Sequence, residues 1–195
     1  MRSKINEIFN SLQGEGFYAG SNCTFVRLSG CNLRCAFCDT AHQQGREMSD
    51  EEIAQECLRY ATKRVVLTGG EPTQYNLEPL VRLLHKDGFV VAMETNGTRN
   101  KNAGVDWVTC SPKFAFCDNA EVKLSHIDEL KVLYDGESFD SALYDNIIAE
   151  NYYLQPIDTG SREENAKIIC SLVKYITKHP KWQLSLQLHK ILNVR

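Results

Sequence analysis

Cys31, Cys35 and Cys38 stand four and three residues apart in the stretch CNLRCAFCDT. Three thiolates on one short loop are suited to holding a metal or a metal–sulfur cluster. A structural zinc site is closed by four ligands, and His42 is the nearby candidate for the fourth. All four would then fold back within a dozen residues, whereas zinc modules usually join two pairs across a longer loop. A [4Fe-4S] cluster held by three thiolates fits the spacing better. It leaves one iron able to take a ligand that is not protein, which points to chemistry rather than electron storage. The other cysteines, Cys23, Cys57, Cys110, Cys117 and Cys170, stand singly among apolar neighbours and read as small buried hydrophobes.

The cysteines need elements to position them. Strand-like runs are NCTFVRLSG, RVVLTGG, FVVAMETNG, DWVTCSP, DELKVLYD, NYYLQP and WQLSLQLHKIL, bounded by Gly, Pro or Asp. Helical patterns lie between them. SDEEIAQECLRYATK opens with Ser49 and Glu52 at capping-box spacing. NLEPLVRLLHKDG has Leu77, Leu80, Leu83 and Leu84 at helical spacing, with Gly88 as its stop, and SREENAKIICSLVKYITKH carries Ile168, Ile169, Leu172, Val173 and Ile176. Strands alternating with helices predict a parallel sheet with right-handed crossovers. A full eight-fold barrel takes about 250 residues, more than the 195 present. The expected fold is therefore α/β, a partial TIM-like barrel of about six parallel strands with few helices, as a single domain over residues 1–195. The cysteine loop, GGEP, ETNG, SPK and QPID each follow a strand and should converge on one rim, where parallel α/β folds bind ligands.

Composition narrows the partners. A formal net charge of -3 argues against a protein that grips nucleic acid through its phosphates. No run of about eighteen apolar residues suggests a membrane span, and MRSKINEIFNSLQGEG lacks the apolar stretch of a signal peptide, so a cytoplasmic location is expected.

CNLRCAFC and TGGEPT, Thr68 to Thr73, together resemble the signature of the radical S-adenosylmethionine (SAM) enzymes. The segments SLQGEGFYAG, CDT, ETNGT, SPK, DELKVL, YYLQPID and LQLHK extend the likeness over nearly the whole chain, to the branch of that family that builds 7-deazapurines. The resemblance implies a lyase of queuosine biosynthesis that contracts the ring of 6-carboxy-5,6,7,8-tetrahydropterin to 7-carboxy-7-deazaguanine with loss of ammonia. It also implies a [4Fe-4S] cluster on Cys31, Cys35 and Cys38, SAM, Mg²⁺ with Thr40 as ligand, a flavodoxin or ferredoxin as electron donor, and a homodimer. Two other functions are consistent with the cysteines alone: an activase that makes a glycyl radical on a partner protein, and a binding module with structural zinc.

Residue by residue, the resemblance implies that Leu12, Gln13, Gly14, Glu15, Arg27 and Thr68 contact the pterin, with Arg27 on its carboxylate. Arg195 would contribute if the end of the chain closes the pocket. Phe37, Cys38 and Asp39 would meet the adenosyl group, Gly70 and Glu71 the methionine end, and Ser111, Pro112 and Lys113 the cofactor from the next rim. Gln155, Pro156, Ile157 and Asp158 would close over the adenine. Gly69 and Gly70 are expected to let backbone approach the cofactor. Thr95 reads as part of a capped turn and Lys131 as an ordinary strand residue facing a partner.

Overall fold

A computed structural model describes residues 1–38, 40–136 and 138–194. It contains strands β1 (Arg2–Leu12), β2 (Asn22–Leu28), β3 (Arg46–Ser49), β4 (Arg64–Gly69), β5 (Val90–Thr95), β6 (Trp107–Cys110), β7 (Glu129–Tyr134), β8 (Asn151–Pro156) and β9 (Gln183–Leu184). Its helices are α1 (Asp50–Cys57), α2 (Glu78–Lys86), α3 (Arg162–Lys178) and α4 (Leu188–Leu192). The strands form one sheet in the order β3-β1-β2-β4-β5-β6-β7-β8-β9. From β2 to β9 every neighbouring pair is parallel, while β1 runs antiparallel to both β2 and β3. The sheet ends at β3 and β9. It is therefore an open, partial barrel of the expected kind, with a two-residue seventh parallel strand and an antiparallel extension.

The outer face of the sheet explains the helices. Val26, Leu28, Val65, Leu67, Val91 and Met93 pack with Ile53, Ala54 and Cys57 of α1 and Leu80, Val81 and Leu84 of α2. A second cluster joins Leu130, Val132 and Leu154 to Leu172 of α3 and to Trp182. The capping box forms as expected: Glu52 N–H donates to Ser49 Oγ at 3.2 Å and Ser49 N–H to Glu52 Oε2 at 2.6 Å. Ser161 caps α3 through its side chain alone, accepting from Glu164 N–H.

Three elements differ from expectation, the first being Arg46–Ser49, which reads as no strand in sequence and yet pairs antiparallel with β1. Arg2–Leu12 reads as no strand in sequence, yet it is the longest one, because its register shifts between Ile5 and Glu7. That irregularity breaks the two-residue alternation by which a strand is recognised. WQLSLQLHKIL is not one strand: only Gln183–Leu184 pairs with β8, and Leu188–Leu192 is helical.

Candidate active site

The sheet's inner face borders a cavity of about 960 Å³. Leu12, Gln13, Gly14, Glu15, Arg27, Cys31, Cys35, Phe37, Cys38, Thr40, Thr68, Gly70, Ser111, Lys113, Gln155, Pro156, Ile157 and Asp158 line it together. Glu71 and Pro112 are not among its lining residues. Asp39 and Arg195 lie outside the described residues.

The cysteine loop follows β2 at the carboxyl rim. Cys38 N–H donates to Cys35 O at 3.2 Å, and Leu33 N–H points at Cys31 Sγ at 3.4 Å. Burial pushes the Cys31 thiol up, and burial together with the neighbouring Cys117 pushes Cys35 up to about 12. Four ligands at 2.3 Å around one zinc would stand about 3.8 Å apart. Among the described residues, no group of three that includes these cysteines has its ligand atoms within 4.8 Å of one another. The three sulfurs line one cavity without being drawn together as a closed tetrahedral set. His42, the expected fourth zinc ligand, does not line the cavity.

The glycine-rich turn is bound to this loop by backbone. Glu71 N–H donates to Gly30 O at 2.8 Å and Gly70 N–H to Leu28 O at 3.0 Å. A Cβ on Gly70 would stand 1.7 Å from Gly30 O. The glycine is thus required by the close approach of its own chain, in addition to any cofactor. Glu71, expected at the cofactor, is buried and engaged elsewhere. Its carboxylate accepts from Thr73 N–H and Oγ1, Thr95 Oγ1 and Asn96 N–H. It locks GGEP to ETNG, so Thr95 serves the turn while also lining the cavity.

Below the loop, inward side chains follow one another around the wall at a single level. Arg27 of β2 is in register with Thr68 of β4, and Thr68 Oγ1 donates to Glu94 Oε2 of β5 at 3.3 Å. Glu94 is in register with Thr109 of β6, and Thr109 with Glu129 of β7. Arg27 Nε donates to Glu7 Oε1 at 2.8 Å, and Nη1 lies 3.4 Å from Thr40 Oγ1. Thr40 thus offers a hard oxygen at the cavity wall. That suits Mg²⁺, which usually keeps several waters and takes few protein ligands.

LQGEG approaches from the opposite end. Leu12 pairs with Asn22, where β2 begins, so the loop after β1 closes the amino-terminal end of the parallel strands. Gln13 Nε2 donates to Glu94 Oε1 at 2.9 Å. The carboxyl-terminal segment meets this loop: Leu188 N–H donates to Gly14 O at 2.9 Å and Gln187 Nε2 to Glu15 Oε1 at 2.9 Å. A Cβ on Gly14 would stand 2.2 Å from His189 Nδ1.

Lys131 is more than a strand residue with a partner. It is buried, lines the cavity, and pairs with Glu15, with Glu94 at 3.9 Å. Burial disfavours both charges, but the two groups hold each other ionised. Lys131 is raised by Glu15, Glu94 and Glu129, while Lys131 and Gln187 bring Glu15 down to about 2. Burial raises the Glu129 carboxyl. At the rim, Lys113 is lowered by burial and donates to Ser111 O and Oγ at 2.7 and 2.6 Å. Asp158 is held below the usual carboxylate range by Lys190, at 2.8 Å, and by Gly160 N–H and Asn165.

Sequence reasoning missed Glu7, Glu94, Gln187 and His189, all of which line the cavity. Glu94 carried a signal: a carboxylate inside the apolar run FVVAM-E-T is expensive in a parallel strand unless it faces a polar lumen.

Residues 25–123 match the Radical SAM superfamily. Over 195 residues, all of both chains, the protein is 44% identical to a 7-carboxy-7-deazaguanine synthase of Bacteroides thetaiotaomicron. It is 35% identical to one of Haemophilus influenzae, covering 97% of this chain and 93% of the other. The crystal structure of QueE from Escherichia coli superimposes with a TM-score of 0.74 at 30% identity, covering 96% of this chain and 95% of that one. With three thiols at the rim of a partial barrel and relatives alike from end to end, the chain belongs to the 7-carboxy-7-deazaguanine synthase family of radical SAM enzymes.

Proposed function

We propose that this protein contracts 6-carboxy-5,6,7,8-tetrahydropterin to 7-carboxy-7-deazaguanine with loss of ammonia, as a single-domain enzyme. The observation that carries the reading is the placement of Arg27 and Glu94. They stand two strands apart at one level of the wall, bridged by Thr68. Strands lie about 4.8 Å apart, so the backbones that carry cation and carboxylate are separated by roughly 10 Å. That span suits a flat bicyclic ligand with a carboxylate at one end and N–H donors at the other.

Cys31, Cys35 and Cys38 would hold the cluster, and Thr40 would hold Mg²⁺. When bound, the cluster and SAM would supply the radical chemistry that removes a hydrogen atom from substrate. The rest falls to the chain's own groups. Arg27, fixed by Glu7, offers N–H donors to the substrate carboxylate, a charge-assisted contact of about 1.5–3 kcal/mol. Glu94, oriented by Gln13 and Thr68, accepts from the amino-pyrimidinone end. Leu12, Gly14 and Glu15 close the floor, and Lys131 neutralises Glu15 and keeps the floor ordered. Gly70, Ser111 and Lys113 would receive the methionine end of SAM, with Lys113 beside its carboxylate. Phe37 and Gln155 to Asp158 would cover the adenosyl group and exclude water. The electron would come from a flavodoxin or ferredoxin, and the protein would act as a cytoplasmic homodimer.

The test is anaerobic reconstitution with iron and sulfide, followed by turnover with SAM, Mg²⁺, dithionite and the carboxytetrahydropterin. The expected product is 7-carboxy-7-deazaguanine. A protein that carries the cluster and consumes no pterin would overturn the reading.

A further inference from the structure

We propose that Cys117 is a positioning residue that donates a hydrogen bond from its thiol to the sulfur of Cys35 and thereby raises the reduction potential of the cluster. The inference rests on the assignment of Cys35 as a cluster ligand. Sequence gave Cys117 no role beyond a buried hydrophobe, but its Sγ lies 3.4 Å from Cys35 Sγ. The contact spans 82 residues, so it belongs to the tertiary fold rather than to the local turn of the cysteine loop.

The geometry around the pair fixes it. Phe116 N–H and Cys117 N–H both donate to Lys113 O, at 2.9 and 2.8 Å, folding the chain after SPK into a tight turn. The Phe116 ring meets Phe37 edge-on, with centroids 5.0 Å apart and planes at 75°. Two neighbouring residues of this turn therefore touch two residues of the cysteine loop, one through aromatic packing and one through sulfur. Cys117 is half-buried, which shelters the contact from competing water.

The direction of the bond follows from ligand chemistry. Cys35 bound to iron is a thiolate and has no proton to give. The hydrogen between the two sulfurs must then belong to Cys117, whose thiol is a weak donor. Hydrogen bonds to the sulfurs are among the factors that set the potential of an iron–sulfur cluster. A donor draws negative charge away from the iron and favours the reduced state, which is the state that must form before SAM is cleaved. Cys117 would ease the uptake of that electron without touching substrate or cofactor.

The experiment is an anaerobic redox titration of the reconstituted full-length protein, read by electron paramagnetic resonance of the reduced cluster. Wild type, Cys117→Ala and Cys117→Ser are compared. At a fixed solution potential, the reduced-to-oxidised ratio should fall several-fold in Cys117→Ala. The limit expected is about tenfold, equivalent to about 59 mV for one electron. Cys117→Ser retains a donor and should stay within about twofold of wild type. A Cys117→Ala titration that overlays wild type would overturn the proposal. So would loss of the cluster in both variants, which would make Cys117 part of the binding set. A wild-type protein that assembles no cluster would instead remove the assignment of Cys35 on which the inference stands.

Discussion

Glu7 on β1 holds the Arg27 guanidinium of β2 through its Nε at 2.8 Å, across an antiparallel pair in which Glu7 and Arg27 are direct partners. The pair fixes the plane of the guanidinium before a ligand arrives, and less of its conformational entropy is lost on binding. Arg27→Lys keeps the charge and loses the planar fork. Its kcat/KM for the pterin should fall about 10- to 100-fold, the equivalent of about 1.5–3 kcal/mol. Glu7→Gln should raise KM several-fold and change kcat less. Steady-state kinetics on protein of matched iron content would check both; an unchanged KM in Arg27→Lys would refute the role.

Gly70→Ala puts a methyl group 1.7 Å from Gly30 O, and the atoms it meets are backbone that cannot turn aside as a side chain could. Relief requires GGEP and the cysteine loop to separate. The variant should lose about 1–3 kcal/mol of stability and bind less iron after reconstitution. Thermal unfolding and iron analysis report the two effects independently.

Lys131 and Glu15 give a pH dependence of definite sign. Glu15 titrates at its ordinary 4.5 in the unfolded chain and at about 2 in the fold. A depressed folded value means that the stabilisation is complete above pH 4.5 and disappears as pH falls toward 2. Urea midpoints should drop over that interval, and Glu15→Gln should lose this part of the slope. Lys131→Met leaves a buried carboxylate unpaired and should cost about 3–5 kcal/mol. Adding Glu15→Gln to it should restore part of the loss, and strict additivity of the two changes would argue against the pairing.

Leu172 is fully buried where α3 meets the sheet. Leu172→Ala should cost about 2–5 kcal/mol in urea denaturation. It should leave the substrate KM within about twofold, because α3 supports the outer face and contributes nothing to the cavity lining.

Much of this site was legible in sequence because its parts are punctuated. CNLRCAFC, TGGEPT, SPK and QPID each follow a recognisable strand, and the fold brings them to one rim. The order of the inner wall was harder to read. Arg27, Thr68 and Glu94 become neighbours only through strand register, and register is written in pairing between distant segments. LQGEG was recognised, but its approach from the opposite end depends on the antiparallel course of β1, a strand concealed by its irregular register. Glu71 shows a different limit. A carboxylate beside two glycines in a motif looks available, and only the three-dimensional arrangement reveals four donors already converging on it.

The sequence of side chains from Arg27 through Thr68 to Glu94 gives the chamber an electrical sense of direction. A planar guest turned end for end would set its own anion against Glu94 and leave the guanidinium facing amines. With that reversal penalised and the cysteine loop overhead on one side only, a guest lying between the two poles keeps its long axis in one sense relative to the rim. The order of its two ends is thereby built into the wall, ahead of any bond-breaking event.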